Sequence, residues 1–524
     1  MFYIEFCHNK LKKHKSTIMK IKQNRRSFLK TSALAGIGLG VAPSYLTAAN
    51  WSRIIGANET LNIGVVGCRN HGSWAHLEDS YLKFPNVNVI ALCDADLASI
   101  DRSSKIMFDM GARPAKAYTD IRKMLENKDI DAISVATPNH WHALATVWGC
   151  QAGKDVCVEK PVSHNIWEGR KMVEAAEKYG RIVQADHDMR SNTKIEAAVK
   201  YIQSGALGKI EFCHSWVYKR RTSLGKVGKA GGYIPRTADY DLYCGPAPIG
   251  PLPRINLHYD WHWQWDFGCG EIGNNGPHHL DLCRWVLGHD DLPSRVITFG
   301  GRFGYEDDGE TPNTSVTLFD YKTAPILFEV RGLSRSKDDP IMDSFMTTTK
   351  KGVKLFYEWD SKNPNTANII VCENGFVDMG RQIAYDNNGN KIKEFEGEQV
   401  NSVLNFVKAV RSRKEEDIKT PILNGHLSAC LCHMGNISYR VGKEASYEEV
   451  NDVLKKDFEI LDALDRTNQH MIANGLNLKN LPIVLGPWLN MDSKKEMFTG
   501  EYSKEANKYV SRDYREPFVI RDQV

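Results

Sequence analysis

From Leu61 the chain reads LNIGVVG, a short apolar run bounded by polar residues. The next stretch, CRNHGSWAHLEDSYLKF, carries helical spacing and leads into a second apolar run, VNVIALCD. Short apolar runs punctuated by turn residues predict buried strands, so these three stretches predict one βαβ unit. The alternation continues with a helix over YTDIRKMLEN, a strand at AISVATP, a helix from His140 to about Gly153, and a strand at DVCVEKP. Strands and helices in alternation predict a parallel sheet, with ligands held outside the carboxyl ends of its strands. TPNHWH and EKP fall at such ends. Farther along, SVTLFDY and PILFEVRG predict strands of another sheet, while EGEQ and DNNGN predict exposed loops and turns. No internal repeat or low-complexity block is visible.

Composition adds a boundary rather than a class. At 524 residues the chain suits two or three domains, and 42% apolar, 25% charged and 10% aromatic residues is ordinary globular usage. The net charge of +4 is uneven: residues 1–49 hold nine Lys/Arg and one acid, leaving 59 Lys/Arg against 63 Asp/Glu, net −4, for the rest. That remainder argues against a nucleic-acid partner, whose phosphates demand a basic surface. The basic start leads into SALAGIGLGVAPSYL and then Thr47-Ala48-Ala49, the anatomy of a signal peptide. Within it NRRSFLK sets Arg25 and Arg26 side by side before Phe28 and Leu29, which looks like the twin-arginine signal used to export folded proteins. About fifteen apolar positions interrupted by glycine fall short of the ~20 that span a bilayer, so no stable membrane insertion is expected. Eleven cysteines follow Cys7, scattered through apolar stretches without a CxxC pair, and predict small buried hydrophobes rather than disulfides or a zinc site. A chain that folds before export has no need of disulfides.

The turn after the first strand carries Gly67, Arg69, Asn70 and Gly72 in G-x-R-x-x-G spacing, where a dinucleotide fingerprint has a glycine in place of Arg69. A tight strand-to-helix turn in any α/β protein gives the same signal. Asp94, 27 residues after Gly67 at the end of the second strand, adds a carboxylate placed to accept from ribose hydroxyls and favours NAD over NADP. The alternative role for Asp94 is a helix N-cap, and both can hold at once.

TPNHWH, then AGKDVCVEKPVSHNIWEGRKMVEAAEKYG, then Arg190, closely resemble the Gfo/Idh/MocA family of oxidoreductases. GEIGNNGPHHLDLCRWVLG and NFVKAVRSRKEEDIKTPILNGHLSACLCHMGNISYRVG extend the resemblance over nearly everything after the leader, and HYDWHWQWDFGCG points to an exported branch. The resemblance implies a Rossmann-type parallel-sheet domain followed by an α+β domain with an open, mostly antiparallel sheet. The chain is thereby divided into a signal at 1–49, a nucleotide domain at 58–187, a substrate and oligomerisation domain at 188–440, and an extension at 441–524 that packs on them. It also implies NAD(P)-dependent chemistry on sugars, cyclitols and their derivatives. A homo-oligomer is expected through an exposed sheet face of the second domain.

Oxidising a secondary alcohol with a nicotinamide requires a base for the hydroxyl proton and a donor for the developing oxyanion. By resemblance Lys160 of the EKP motif lies beside the nicotinamide, although a lone lysine at a strand end is by default solvated. The family pattern Asp-x-Gly-x-His-x-x-Asp keeps Gly276, His278 and Asp281 here but has Asn274 for its first acid. Asparagine takes no proton at neutral pH, which moves the base role to His278, four residues on and on the same helix face. His279 is expected to be a structural histidine. Thr137, Asn139, His142 and Glu159 are expected near the cofactor, and Arg190, Asp281, Trp261 and Trp263 near the sugar. Indole faces suit a sugar ring, though core packing explains these tryptophans as well. No metal is expected, because a strand-end H-x-H without a clustered acid is poor zinc evidence. Two other functions stay open: glycoside cleavage through transient oxidation, and a sugar-binding protein without redox activity, which Arg69 and Asn274 favour. An exported oxidoreductase would carry its cofactor tightly bound and recycle it with a second sugar or an electron acceptor.

Overall fold

The computed structural model describes residues 60–339, 341–342, 345–357 and 365–524. The leader, with Arg25, Arg26 and Thr47-Ala48-Ala49, lies outside the described residues. Among the described residues no helix is long and apolar enough to cross a membrane.

Six strands, β1 (Leu61–Val66), β2 (Val87–Cys93), β3 (Lys116–Tyr118), β4 (Ala132–Val135), β5 (Asp155–Val158) and β6 (Val183–Ala185), form an all-parallel sheet ordered β3-β2-β1-β4-β5-β6. Strands β4 and β5 are buried along their whole length, because helices cover both faces. That is why they read as continuous apolar runs rather than alternating ones. The helix Ile166–Tyr179 starts where the Asn165 side chain accepts from Glu168 N at 2.9 Å, and stops at Gly180 with φ +59°. On the opposite face, Val403, Phe406, Val407 and Val410 of the helix Ser402–Ser412 pack against Leu61, Ile63 and Val65. A segment from beyond residue 400 thus completes the core of the nucleotide domain, across the boundary the sequence places at 188.

The first crossover departs from the predicted regular helix. It is a π-helix, Gly72–Glu78, followed by a 3-10 turn at Tyr81–Lys83. Its i to i−5 register, seen in the bond from Asp79 N to Trp74 O at 2.8 Å, turns His76 fully inward. A periodicity window tuned to 3.6 residues does not register that change.

Among the described residues the second sheet has twelve strands, with β7 (Ile210–Tyr218), β8 (Arg295–Gly301), β9 (Thr314–Asp320) and β10 (Ile326–Arg331) at its centre. Only β10 and β7 run parallel; the other pairings are antiparallel. One face packs on the helices Gly270–Leu287 and Ile422–Arg440, through Cys213, Val217, Phe328 and Val330. The other face corrects an expectation. Instead of being left open for a second copy, it is covered by the chain's own helices Tyr447–Leu454 and Phe458–Ala473, whose Val450, Leu454, Ile460 and Leu464 are 0% exposed against Trp216, Phe299 and Leu327. Each such side chain contributes up to about 1.5–3 kcal/mol, so the cover is a core and not a loose flap. The strands Lys443–Ala445, Ile483–Leu485 and Leu489–Asp492 join the same sheet, so it continues across residue 441. Among the last residues, Phe518 packs edge-on against Trp141, and Arg515 pairs with Asp241 at 2.6 Å.

A charged cluster is buried under this cover. Glu329, 0% exposed on β10, accepts from Tyr218 OH at 2.8 Å and from both terminal nitrogens of Arg466 at 2.9 and 2.6 Å, with His214 Nε2 at 2.5 Å. It fastens the helix Phe458–Ala473 to the sheet. All eleven cysteines among the described residues are buried and without disulfides, as expected for small apolar side chains.

Candidate active site

The carboxyl ends of β1, β2, β4 and β5 open into one cavity of about 570 Å³, within the range of small-molecule sites. It lies where the strand order reverses between β1 and β4, the switch point at which doubly wound sheets hold ligands. The turn after β1 forms its floor. Gly67 has φ +87°, and a Cβ there would meet Ala136 O at 2.5 Å; a Cβ on Gly72 would meet Gly67 O at 1.8 Å. Neither position accepts a side chain, so the turn is drawn in against β4. Asn70 takes φ +47°, which asparagine tolerates. Arg69, Asn70 and Gly67 line the cavity, whereas Gly72 supports Gly67 from behind.

Asp94 holds this turn. Its carboxylate accepts from Cys68 N at 2.8 Å and Asp96 N at 2.9 Å, and it faces the cavity. The helix N-cap is Asp96, whose side chain accepts from Ala98 N at 3.1 Å. Burial pushes the Asp94 carboxyl up to about 6, against the bonds from those two amides. The carboxylate form exists above that pH and is lost below it. If the group accepts from a ribose, nucleotide affinity should fall by up to about tenfold per pH unit below 6. Titrations of the nucleotide-free protein at pH 5 and 8 check this, and Asp94→Asn should flatten the difference.

On the far side of β4, Thr137 Oγ1 is buried on the cavity wall without a hydrogen-bond partner. Asn139 opens the helix Asn139–Gln151, and His142 sits between Pro161 O at 2.7 Å and Thr137 O at 2.8 Å, clamping two strand ends together. The orphaned hydroxyl, the glycine cradle and the Asp94 carboxylate together fit a dinucleotide.

Lys160 and His278 enter the same cavity from opposite domains. Lys160 Nζ donates to Asn274 O at 2.9 Å, so the residue that replaces the family's acid contributes its backbone carbonyl to the lysine while its side chain stays on the cavity wall. Burial and the Lys160 ammonium hold the His278 imidazole well below its usual range, and it is neutral. His279 takes the structural role, buried with Nδ1 at 2.7 Å from Asn368 Oδ1.

Three sequence candidates for sugar contact lie elsewhere. Arg190 and Asp281 form a buried pair at 2.6 Å, joined by Ser428 Oγ at 2.7 Å, and neither reaches the cavity wall. Burial opposes ionisation of Asp281, but Arg190, His187 and Arg284 outweigh it and hold the carboxyl low. His187, which the sequence did not flag, stands between this pair and the site: its ring lies 5.8 Å from His278 and its Nδ1 3.9 Å from Asp281 Oδ2. Trp263 is turned into the core under the Arg221 guanidinium, 5.4 Å from its ring centroid. Trp261 does line the cavity, stacked on His262 at 3.6 Å.

Behind Lys160 lies a second unforeseen group. Glu159 Oε1 is 3.2 Å from His71 Nδ1 and 3.0 Å from His76 Nε2, and His76 also approaches Asp186 at 3.7 Å. Burial opposes the Glu159 charge, but the two histidines keep it ionised, whereas burial with Glu159 and Asp188 nearby pushes Asp186 up to about 7. The ligand atoms of His76, Glu159 and Asp186 lie within 4.8 Å of one another, a set with the chemistry to hold a cation, and His76 Nε2 is hydrogen-bonded to Glu159 Oε1 at 3.0 Å. His71, Lys219, Arg221, His258 and Tyr259 also line the cavity. KRR at the end of the WVY strand run was the sequence signal available for Lys219 and Arg221.

Comparison with known proteins agrees with this architecture. Residues 61–187 match the oxidoreductase family with an NAD-binding Rossmann fold, and residues 191–302 match that family's C-terminal alpha/beta domain. Both domains of the Gfo/Idh/MocA oxidoreductase family are thus matched within residues 61–302. It is 31% identical over 206 residues to a glycosyl hydrolase family 109 protein of Saccharopolyspora erythraea, covering 36% of this chain and 44% of that one. It is 24% identical over 291 residues to the levoglucosan dehydrogenase of Pseudarthrobacter phenanthrenivorans, covering 52% and 65%. The matches thus span between 44% and 65% of these two relatives' lengths. In fold the chain is similar to the WlbA dehydrogenase of Bordetella pertussis, solved with NADH and UDP-GlcNAcA, at TM-score 0.50 and 18% identity over 71% of this chain and 94% of that one.

Proposed function

We propose that this protein is an NAD-dependent oxidoreductase that interconverts a hydroxyl and a keto group on a sugar or glycoside, with its cofactor tightly bound and recycled. The observation that carries this is the meeting of Lys160, His278 and the dinucleotide-type turn in one cavity. Gly67, Arg69, Asn70, Asp94 and Thr137 would hold NAD, which when bound supplies the hydride acceptor. Arg69, where the fingerprint has a glycine, supplies positive charge for the pyrophosphate. Neutral His278 takes the hydroxyl proton, and the Lys160 ammonium donates to the same oxygen as it gains charge, so a C–H and an O–H bond break while C=O forms. Trp261 offers a face to the sugar ring. The family's NAD-binding description and the sugar dehydrogenases among its relatives support this reading.

The twin-arginine leader supports export of the folded, loaded protein to the periplasm or beyond, with a second sugar or an electron acceptor regenerating the cofactor. A second reading, glycoside cleavage through transient oxidation, is favoured by the family 109 relatives. It predicts released aglycone with no net NADH. Heating the purified protein should release NAD(H) into the supernatant in near-stoichiometric amount; absent nucleotide with no binding in titration would support a sugar-binding protein without redox activity.

A further inference from the structure

The carboxylates that line the cavity all enter from the parallel sheet, and each is engaged there. Asp94 accepts two backbone amides, Asp120 pairs with Arg122 at 2.7 Å, and Glu159 lies between two histidines. The wall supplied by the second sheet has the opposite character. Lys219, immediately after β7, and Arg221 project into it. Arg221 is fully committed: two of its nitrogens donate to Glu271 at 2.7 and 2.8 Å and the third to Tyr259 OH at 3.0 Å. Glu271 is thus held by Arg221, although its charge still reaches Lys219 and favours the ammonium. Among the described residues the Lys219 ammonium has no hydrogen bond or ion pair, and it shares the wall with Asn274, Asn275 and His278. Burial, with the charges of Arg221 and Lys160 close by, presses the Lys219 ammonium below its usual range. Lys219 is an exposed ammonium on the cavity lining with no ion-pair partner of its own, whereas Asp94, Asp120 and Glu159 are all engaged, so this wall presents an uncommitted cation to an incoming anion.

Resting on the sugar oxidoreductase reading above, we infer that the substrate is an anionic sugar, one bearing a carboxylate or sulfate, whose charged group is received by Lys219 while its reacting hydroxyl lies between Lys160 and His278. The pyrophosphate of a bound nucleotide would be held at the Gly67 turn, on the parallel-sheet wall, rather than by Lys219.

The test uses the full, nucleotide-loaded protein and compares glucuronate, glucose 6-sulfate and glucose, with methyl glycosides of each, in binding and in turnover read by nicotinamide fluorescence. A charge-assisted contact predicts that at least one of the anionic sugars has a kcat/KM roughly ten- to a hundredfold above its neutral counterpart. In Lys219→Gln that ratio should collapse to about one while nucleotide content is kept; the two anionic arms tell carboxylate from sulfate. Turnover of neutral sugars equal to or above that of both anionic ones would overturn the inference and leave the oxidoreductase reading standing. Loss of nucleotide from Lys219→Gln would overturn it as well, by assigning the lysine to the cofactor. If the wild-type protein holds no nucleotide and binds none of the sugars, both fall together.

Discussion

Lys160→Met should lower turnover by at least two orders of magnitude while the protein keeps its fold and its nucleotide. The lysine is the group whose ammonium stands over the Asn274 carbonyl at 2.9 Å, on the wall shared with His278, and methionine preserves the volume and stem without the charge. An oxyanion left without a charged donor in a water-poor site typically loses about 10²–10³ in rate. Two consequences of the loss differ. The substrate oxygen loses its donor, which slows the chemistry. His278 loses the neighbouring charge that, after burial, does most to hold its imidazole down, which makes it easier to protonate. The pH–rate profile of the residual activity should therefore fall off at higher pH on its acid side than that of the parent protein. Steady-state turnover together with nucleotide released on heating measures both. Near-normal turnover would remove Lys160 from the chemistry.

The largest expected effect on stability lies far from the site. Arg466→Met strips the bidentate partner from Glu329, which is 0% exposed. Removing one member of a buried pair costs about 3–5 kcal/mol, because the remaining charge has no water to turn to. Burial opposes the Glu329 charge, and Arg466 is the largest influence that overcomes it. Without the arginine the carboxyl should take up a proton or the helix Phe458–Ala473 should lift from the sheet. Adding Glu329→Gln to Arg466→Met should recover part of the loss, since both charges are then gone. Thermal unfolding of the two variants checks this, and an unchanged midpoint in the single variant would contradict it. Nucleotide content should not follow the stability loss, because the cluster lies on the sheet face away from the helix Gly270–Leu287.

Four strands of the parallel sheet, β1, β2, β4 and β5, were legible because they are short, largely buried and separated by turn residues, and because EKP and TPNHWH fall at strand ends, where ligands gather; β3 and β6, three residues each, were too short to stand out. His278 was legible from helix spacing. What escaped has physical reasons. The predicted helix after Gly67 becomes a π-helix because the inward turn of His76 toward Glu159 is a tertiary preference, invisible in local periodicity. Strands β9 and β10 are buried on both faces, so nothing in their alternation marked a free side, and the helices that cover one face lie more than a hundred residues downstream. Arg190 and Asp281 carry the right residue types for a sugar but satisfy each other, and Trp263 spends its indole on Arg221. Lys219 was missed for the converse reason: nothing in the sequence tells an exposed lysine at a strand end from one that lines the cavity without an ion-pair partner.

In the proposed reaction hydride passes between a sugar carbon and a nicotinamide within the cavity that Lys160 and His278 share. A substrate found by the sugar screen, labelled with deuterium at the carbon oxidised, tests it directly when incubated with the loaded protein and followed by mass spectrometry of the released nucleotide. Deuterium is expected in the nicotinamide ring, strongly diminished in Lys160→Met. Unlabelled nucleotide from a protein that still converts the sugar would contradict it.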